Sequence, residues 1–265
     1  MKKNTLGPCL SIGMVLCIGI ALPLQLWSPP ALAVQQESPI TAIHWQTLTR
    51  EAIAKFEQTA LQEWAFCLAS AENEEGQISS STECFDPTLP PAEQWQLRLS
   101  NGQTPTAQQQ HRYLANKQKH SEQGKAFNLT LKLSRVILLD SVQFVSEDAT
   151  NWYGSFAVYI DKLGTAASKQ LQGQLRFNKA GNFIDRIEIS NTGPFSVMLG
   201  SKVQRFQLKL DFIQLEHAIL QRQQEMILQG SFAFVSSIDE ISSDVFSDFR
   251  YIGPATQAGA VSGLE

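Results

Sequence analysis

The stretch Gln170-Leu171-Gln172-Gly173-Gln174-Leu175-Arg176-Phe177 alternates polar and apolar or small residues without a break. Successive strand residues point to opposite faces, so one face collects Leu171, Gly173, Leu175 and Phe177 and the other collects glutamine and arginine. The same period of two recurs on either side. After a turn at Lys179-Ala180-Gly181-Asn182 come Phe183, Ile187 and Ile189, interleaved with Arg186 and Glu188. Phe206, Leu208, Leu210 and Phe212 alternate with Gln207, Lys209 and Asp211. Upstream, Phe127, Leu129, Leu131 and Leu133 alternate with Asn128, Thr130, Lys132 and Ser134, and Trp152 opens a stretch carrying Phe156, Val158 and Ile160. Downstream lie Met226–Val235 and a last aromatic strand with Phe246, Phe249 and Tyr251. Alternation of this kind predicts antiparallel strands with one face dry and one wet. About eight to ten such strands must curl, and the concave apolar face must be filled. The expected fold class is mainly β (α+β), a curved antiparallel sheet or half-barrel over residues 127–252.

Little helix is available to fill it. Residues 41–63 carry Trp45, Leu48, Ala52, Phe56, Ala60 and Leu61 at mostly three- and four-residue steps, which predicts an amphipathic N-terminal helix. Thr106 can cap a second helix through Ala107–His120, but its Gln- and Lys-rich sequence has little apolar face beyond Tyr113 and Leu114. A short strand, Trp95–Leu99, precedes it. Serine flanks the carboxylates Asp239, Glu240, Asp244 and Asp248, which read as a solvated loop and strand edge. Residues 254–265 are small and polar, the composition of a disordered tail.

The N-terminus bounds the compartment. Lys2 and Lys3, an apolar run from Cys9 to Leu26 and Ala31-Leu32-Ala33 form the layout of a cleaved secretory signal peptide, residues 1–33. The alternative is an uncleaved membrane anchor, against which Pro23, Pro29 and Pro30 interrupt the run. Residues 34–253 then make a single β-rich domain, expected in a bacterial periplasm. Losing two lysines and no acid shifts the formal net charge of −4 to −6. A mildly acidic chain without a Lys/Arg cluster argues against nucleic acid or anionic lipid headgroups as main partners. After residue 33 no second apolar run is long enough to span a bilayer.

Export puts Cys67 and Cys84 in an oxidising environment, where two thiols pair by default. Between them, Glu74-Glu75-Gly76-Gln77 has turn character. A two-residue loop at Glu75-Gly76 faces Cys67 with Cys84 across a hairpin spanning 64–85. That site is of the non-hydrogen-bonded kind, with Cα atoms ~4.5 Å apart, close enough for a disulfide. Closing this loop adds about 3 kcal/mol of stability through the unfolded state.

Two blocks carry a family resemblance. The first runs Glu83-Cys84-Phe85-Asp86-Pro87, then Gln94-Trp95-Gln96-Leu97, then Asn101-Gly102-Gln103-Thr104-Pro105-Thr106. The second runs Phe183-Ile184-Asp185-Arg186-Ile187-Glu188 to Pro194-Phe195, followed by Val203-Gln204-Arg205-Phe206. Both resemble segments recurring in uncharacterised exported proteins of proteobacteria. The order of helix, curved sheet and late aromatic strand is similar to the periplasmic lipoprotein carrier and its outer-membrane receptor, whose open half-barrel holds acyl chains. The resemblance implies an apolar ligand; the cysteine-linked hairpin and the polar helix depart from those carriers.

No catalytic motif is present: the sequence lacks a Gly-x-Ser-x-Gly elbow, a His-Glu-x-x-His pair and a phosphate-cradling glycine loop. His44, His111, His120 and His217 are scattered and have no metal-ligand spacing, so neither metal nor cofactor is expected. The expected role is non-enzymatic binding of a lipid or other apolar ligand in a half-barrel lined by Phe127, Leu129, Phe156, Val158, Leu175, Phe177, Ile187, Phe206, Leu208 and Phe232. The alternative is a solid-cored structural module whose partner is an envelope protein.

Overall fold

The computed structural model describes residues 41–122, 132–161, 163–232 and 236–254. Ten strands form one antiparallel sheet: β1 Trp64–Glu74, β2 Gln77–Phe85, β3 Trp95–Ser100, β4 Gln143–Glu147, β5 Asn151–Ala157, β6 Leu171–Asn178, β7 Phe183–Asn191, β8 Ser201–Leu215, β9 Ala218–Phe232 and β10 Ser236–Tyr251. Their spatial order is β3-β2-β1-β10-β9-β8-β7-β6-β5-β4. Strands β4 to β10 form a meander, and the N-terminal hairpin joins its far side by pairing β1 with β10. The ends of this order, β3 and β4, are not paired with each other, so the sheet is open rather than a closed barrel.

Helix α1, Ala42–Glu57, lies on one face of the sheet. Thr41 caps it by accepting from the His44 amide, and Trp45, Thr49, Ala52, Ile53 and Phe56 form its buried stripe. The helix ends earlier than the 41–63 pattern suggests. The Thr59 hydroxyl accepts the amide of Ile219 at the start of β9, and Leu61–Glu63 is a separate 3₁₀ turn leading into β1. A contact from the sheet here overrides the helical period. Trp45 is wholly buried, with ring contacts to Phe144, Trp152 and Phe177, while Phe56 meets Phe212 edge-on at 4.9 Å. Gly154 makes room for the indole, since a Cβ there would come within 2.7 Å of Trp45.

The second helix, α2 Ala107–Glu122, docks on β2 and β3 in spite of its polar sequence. The Lys117 ammonium sits 3.8 Å from the Trp95 ring centre and 2.9 Å from the Glu83 carboxylate, and the Gln110 side chain donates to the Leu97 carbonyl. Cation–π contact and charge-assisted hydrogen bonds therefore do what an apolar stripe does elsewhere. Short helices α3, Leu133–Val136, and α4, Gly164–Ser168, complete the α1 side. The alternation predicts that Leu133 and Ser134 continue a strand; they begin α3, where Leu133 is buried with α1 and Ser134 bonds the Glu57 carboxylate.

The hairpin register matches its prediction pair for pair, from Phe66 opposite Phe85 through Cys67 opposite Cys84 to Glu74 opposite Gln77. Glu75 and Gly76 both take positive φ, as the tight two-residue loop requires. Cys67 and Cys84 form a disulfide with Cα atoms 4.0 Å apart. A further segment differs from its reading. Residues 236–245, rich in serine and acid, are not a loop: they are the first part of the long central strand β10, paired to β9 throughout and to β1 from Glu240 onward. Partners on both sides hold a sequence with little strand propensity of its own.

Candidate functional site

Following the register across the sheet shows which side chains share the face that carries α1. Leu175, Ile187, Leu210, Gln224, Asp244, Ser70 and Ser81 make one continuous cross-strand row. Gly173, Ile189, Leu208, Met226, Ser242, Glu72 and Ser79 make the next. Each row is apolar on β6, β7 and β8 and turns to serine and carboxylate on β10, β1 and β2.

The apolar half of these rows is filled. Among the predicted lining residues, Phe156, Val158, Leu175, Phe177, Ile187 and Phe206 belong to one buried cluster with Trp45, Ile53 and Phe56 of α1, and half-buried Leu208 packs against it. Phe232 stands apart, 42% exposed at the end of β9. Phe127 and Leu129 lie outside the described residues. The Phe156 ring lies over Gly173, so closely that a Cβ on that glycine would overlap it. Where the α1 cluster meets the Phe66–Phe85–Trp95–Phe246 cluster, Phe56, Thr59, Leu61, Ile219, Leu220 and Phe246 line a void of about 30 Å³. That is room for about one water, far below the size of an acyl chain.

The other half is a bare blade made of the upper parts of β1, β2, β9 and β10. Residues 69–82 and 236–245 hold Glu72, Glu74, Glu75, Asp239, Glu240 and Asp244 and no Lys or Arg. Apolar side chains face water here: Ile78, Ile241 and Val245 are exposed, and Met226 and Leu228 are half-buried. The Ser70 hydroxyl donates to Asp244 at 2.6 Å, and the Cys67–Cys84 bridge crosses the base of the blade.

On the opposite face of β6, β7 and β8 an open hollow of about 570 Å³ is lined by Arg176, Asp185, Arg186, Lys209 and Asp211, among others. Arg222 lines it as well, and most of the other charges meet one another: Arg176 with Asp185 at 2.6 Å, Arg186 with Asp211, and Lys209 with Glu225 at 3.2 Å. Such pairing describes a laced, solvated face. His44 and His111 are exposed, and exposed His217 meets Tyr251 edge to face at 4.8 Å. Under α2, burial above all, and next the Glu83 carboxylate, push the Tyr113 hydroxyl's pKa up.

One surface element escaped the sequence reading. Between β7 and β8 the chain forms a small hairpin in which Phe195 and Val203 exchange both backbone hydrogen bonds. At its tip Val197, Met198 and Leu199 are exposed, Met198 at 61% and Leu199 at 100%. The signal was in plain sight, three consecutive apolar residues between Pro194 and Gly200, but three residues are too few to show a period.

No family model and no curated protein matches the chain. Among solved structures it is similar to the crystal structure of a DUF1329 family protein from Desulfovibrio piger, with a TM-score of 0.31 and 8% identity over 83% of this chain and 95% of that one.

Proposed function

We propose that this chain is an exported, non-enzymatic envelope module that acts through its surface, with an interior occupied by its own helix. The supporting observation is the seating of Trp45: α1 fills the concave face that a carrier would keep for its ligand, and the void left beside it holds about one water. The acidic blade then serves as the contact surface, and its charge selects a partner with a basic face. The disulfide agrees with an oxidising compartment, the periplasm in this reading.

Native mass spectrometry of the protein purified from periplasm, with solvent extraction of anything bound, tests the proposal. The expected result is a bare polypeptide beginning at residue 34 that takes up neither fatty acid nor phospholipid in stoichiometric amount. A one-to-one co-purifying lipid would overturn it and favour the second reading, an apolar ligand held in the half-barrel. That reading draws on the strip Phe206, Leu208, Met226 and Leu228, where the apolar rows reach the edge of the α1 cluster.

A further inference from the structure

We infer that the 195–203 hairpin is an interfacial anchor for an anionic lipid bilayer, a role separate from the partner surface proposed above. The tip does not expose its apolar residues through looseness. The buried Ser201 hydroxyl accepts the amides of Val197 and Met198 and donates to the Met198 carbonyl, so the turn is built to hold those side chains outward. Phe232, opposite Ser201 in the sheet, adds an aromatic ring to the same end. Contiguous exposed apolar side chains on a structured tip mark a contact surface.

Charge names the occupant. Segments 163–178 and 190–206 contain no Asp or Glu, in a chain whose net charge is −4. Lys202 and Arg205 follow the tip on β8, and Lys169, also exposed, is brought alongside by the Thr192 amide bonding the Gln170 carbonyl. Asp239, the carboxylate across the sheet, lies beyond Gln229, which donates to it. At the foot of the tip an open hollow of about 300 Å³, lined by Pro194, Phe195, Ser196, Lys202 and Ser231 among others, places one cation and the Ser196 and Ser231 hydroxyls where a headgroup phosphate would lie. An apolar tip with a basic collar fits acyl chains below and anionic headgroups around them.

The test uses the purified protein and vesicles of phosphatidylcholine with and without phosphatidylglycerol, every variant carrying the same N-terminus. Leu199→Trp is expected to show a vesicle-dependent blue shift and quenching by lipids brominated on their acyl chains. Val145→Trp, on the exposed edge strand β4, is expected to show neither. Met198→Asp with Leu199→Asp should lower partitioning at least about ten-fold. Lys202→Gln should lower it about five-fold on anionic vesicles and leave neutral ones unchanged. An unshifted Leu199→Trp, or an equal shift at Val145→Trp, would overturn the assignment. So would a dimer that Leu199→Asp dissolves while vesicle binding stays the same, which would assign the tip to a second copy of the chain.

Discussion

The α1-covered half of the sheet and the blade are parts of one hydrogen-bonded structure, yet they are stabilised in different ways. Under α1, side chains from β5 to β9 interlock with Trp45 and Phe56, and most of the stabilisation is burial. In the blade, both faces are half-exposed, serine replaces the branched residues, and among the described residues Glu225 meets Lys209 while the six carboxylates of 69–82 and 236–245 form no ion pair. There the ladder of backbone hydrogen bonds is supplemented by a covalent link at Cys67–Cys84. A strand therefore does not need an apolar face to be placed, provided its neighbours on both sides are already in register.

The difference can be broken from either side. The largest effect is expected from Trp45→Ala, which empties the centre of the α1 cluster and should lose about 3–5 kcal/mol by urea denaturation followed with circular dichroism. A loss below about 1 kcal/mol would mean that α1 is not what fills the sheet. Cys67→Ser with Cys84→Ser should lose about 3 kcal/mol. In hydrogen exchange the first amides released should be those of residues 69–82 and 236–245. Equal acceleration under α1 would erase the distinction between the halves. Gly173→Val forces a branched side chain into the Phe156 ring and should lose about 1–3 kcal/mol. Phe156→Leu should recover part of that loss in the double variant, a non-additivity that only direct contact produces. Smallest, Ile241→Thr on the blade should stay within about 0.5 kcal/mol of the parent.

Acid tests a local contact at the β4–β5 turn. The Tyr153 hydroxyl foremost, with the amides of Thr150 and Asn151, holds the Asp148 carboxyl well below the usual carboxylate range. A depressed folded pKa contributes stability that is present above the unfolded value, near 3.9, and is lost as pH falls through the folded one. Thermal melts taken from pH 5 downward should therefore fall less steeply for Asp148→Asn than for the parent. Parallel curves would show that this turn does not sense acid.

What could be read from the sequence follows the same division. Segments with one dry face, such as Leu171–Phe177 and Phe206–Phe212, announce their period, and the cysteine hairpin fixes its own register through a turn that allows one loop length. Residues 236–245 carry no such mark, because their placement comes from β1 and β9 rather than from their own side chains. The docking of α2 was hidden for a related reason: Lys117 reads as a solvated charge until Trp95 and Glu83 arrive beneath it. The site was legible only in part. Phe156, Val158, Leu175, Phe177, Ile187 and Phe206 could be read as inward-facing from their period, whereas the exposure of Phe232, the cover that α1 provides and the Val197–Leu199 tip depend on how elements meet in space.

The pairing of β1 with β10 also sets an order of events during synthesis. Cys67 leaves the ribosome long before its sheet neighbour Ser247, so the cysteine hairpin waits with one edge unpaired while the rest of the chain is made. Closing so long a loop late slows folding, and an open edge invites pairing with other nascent chains. A circular permutant that begins at β4 and appends α1 and the hairpin after β10 would leave only the α1 segment between these two strands. It should refold faster and aggregate less than the natural order, with the same final sheet.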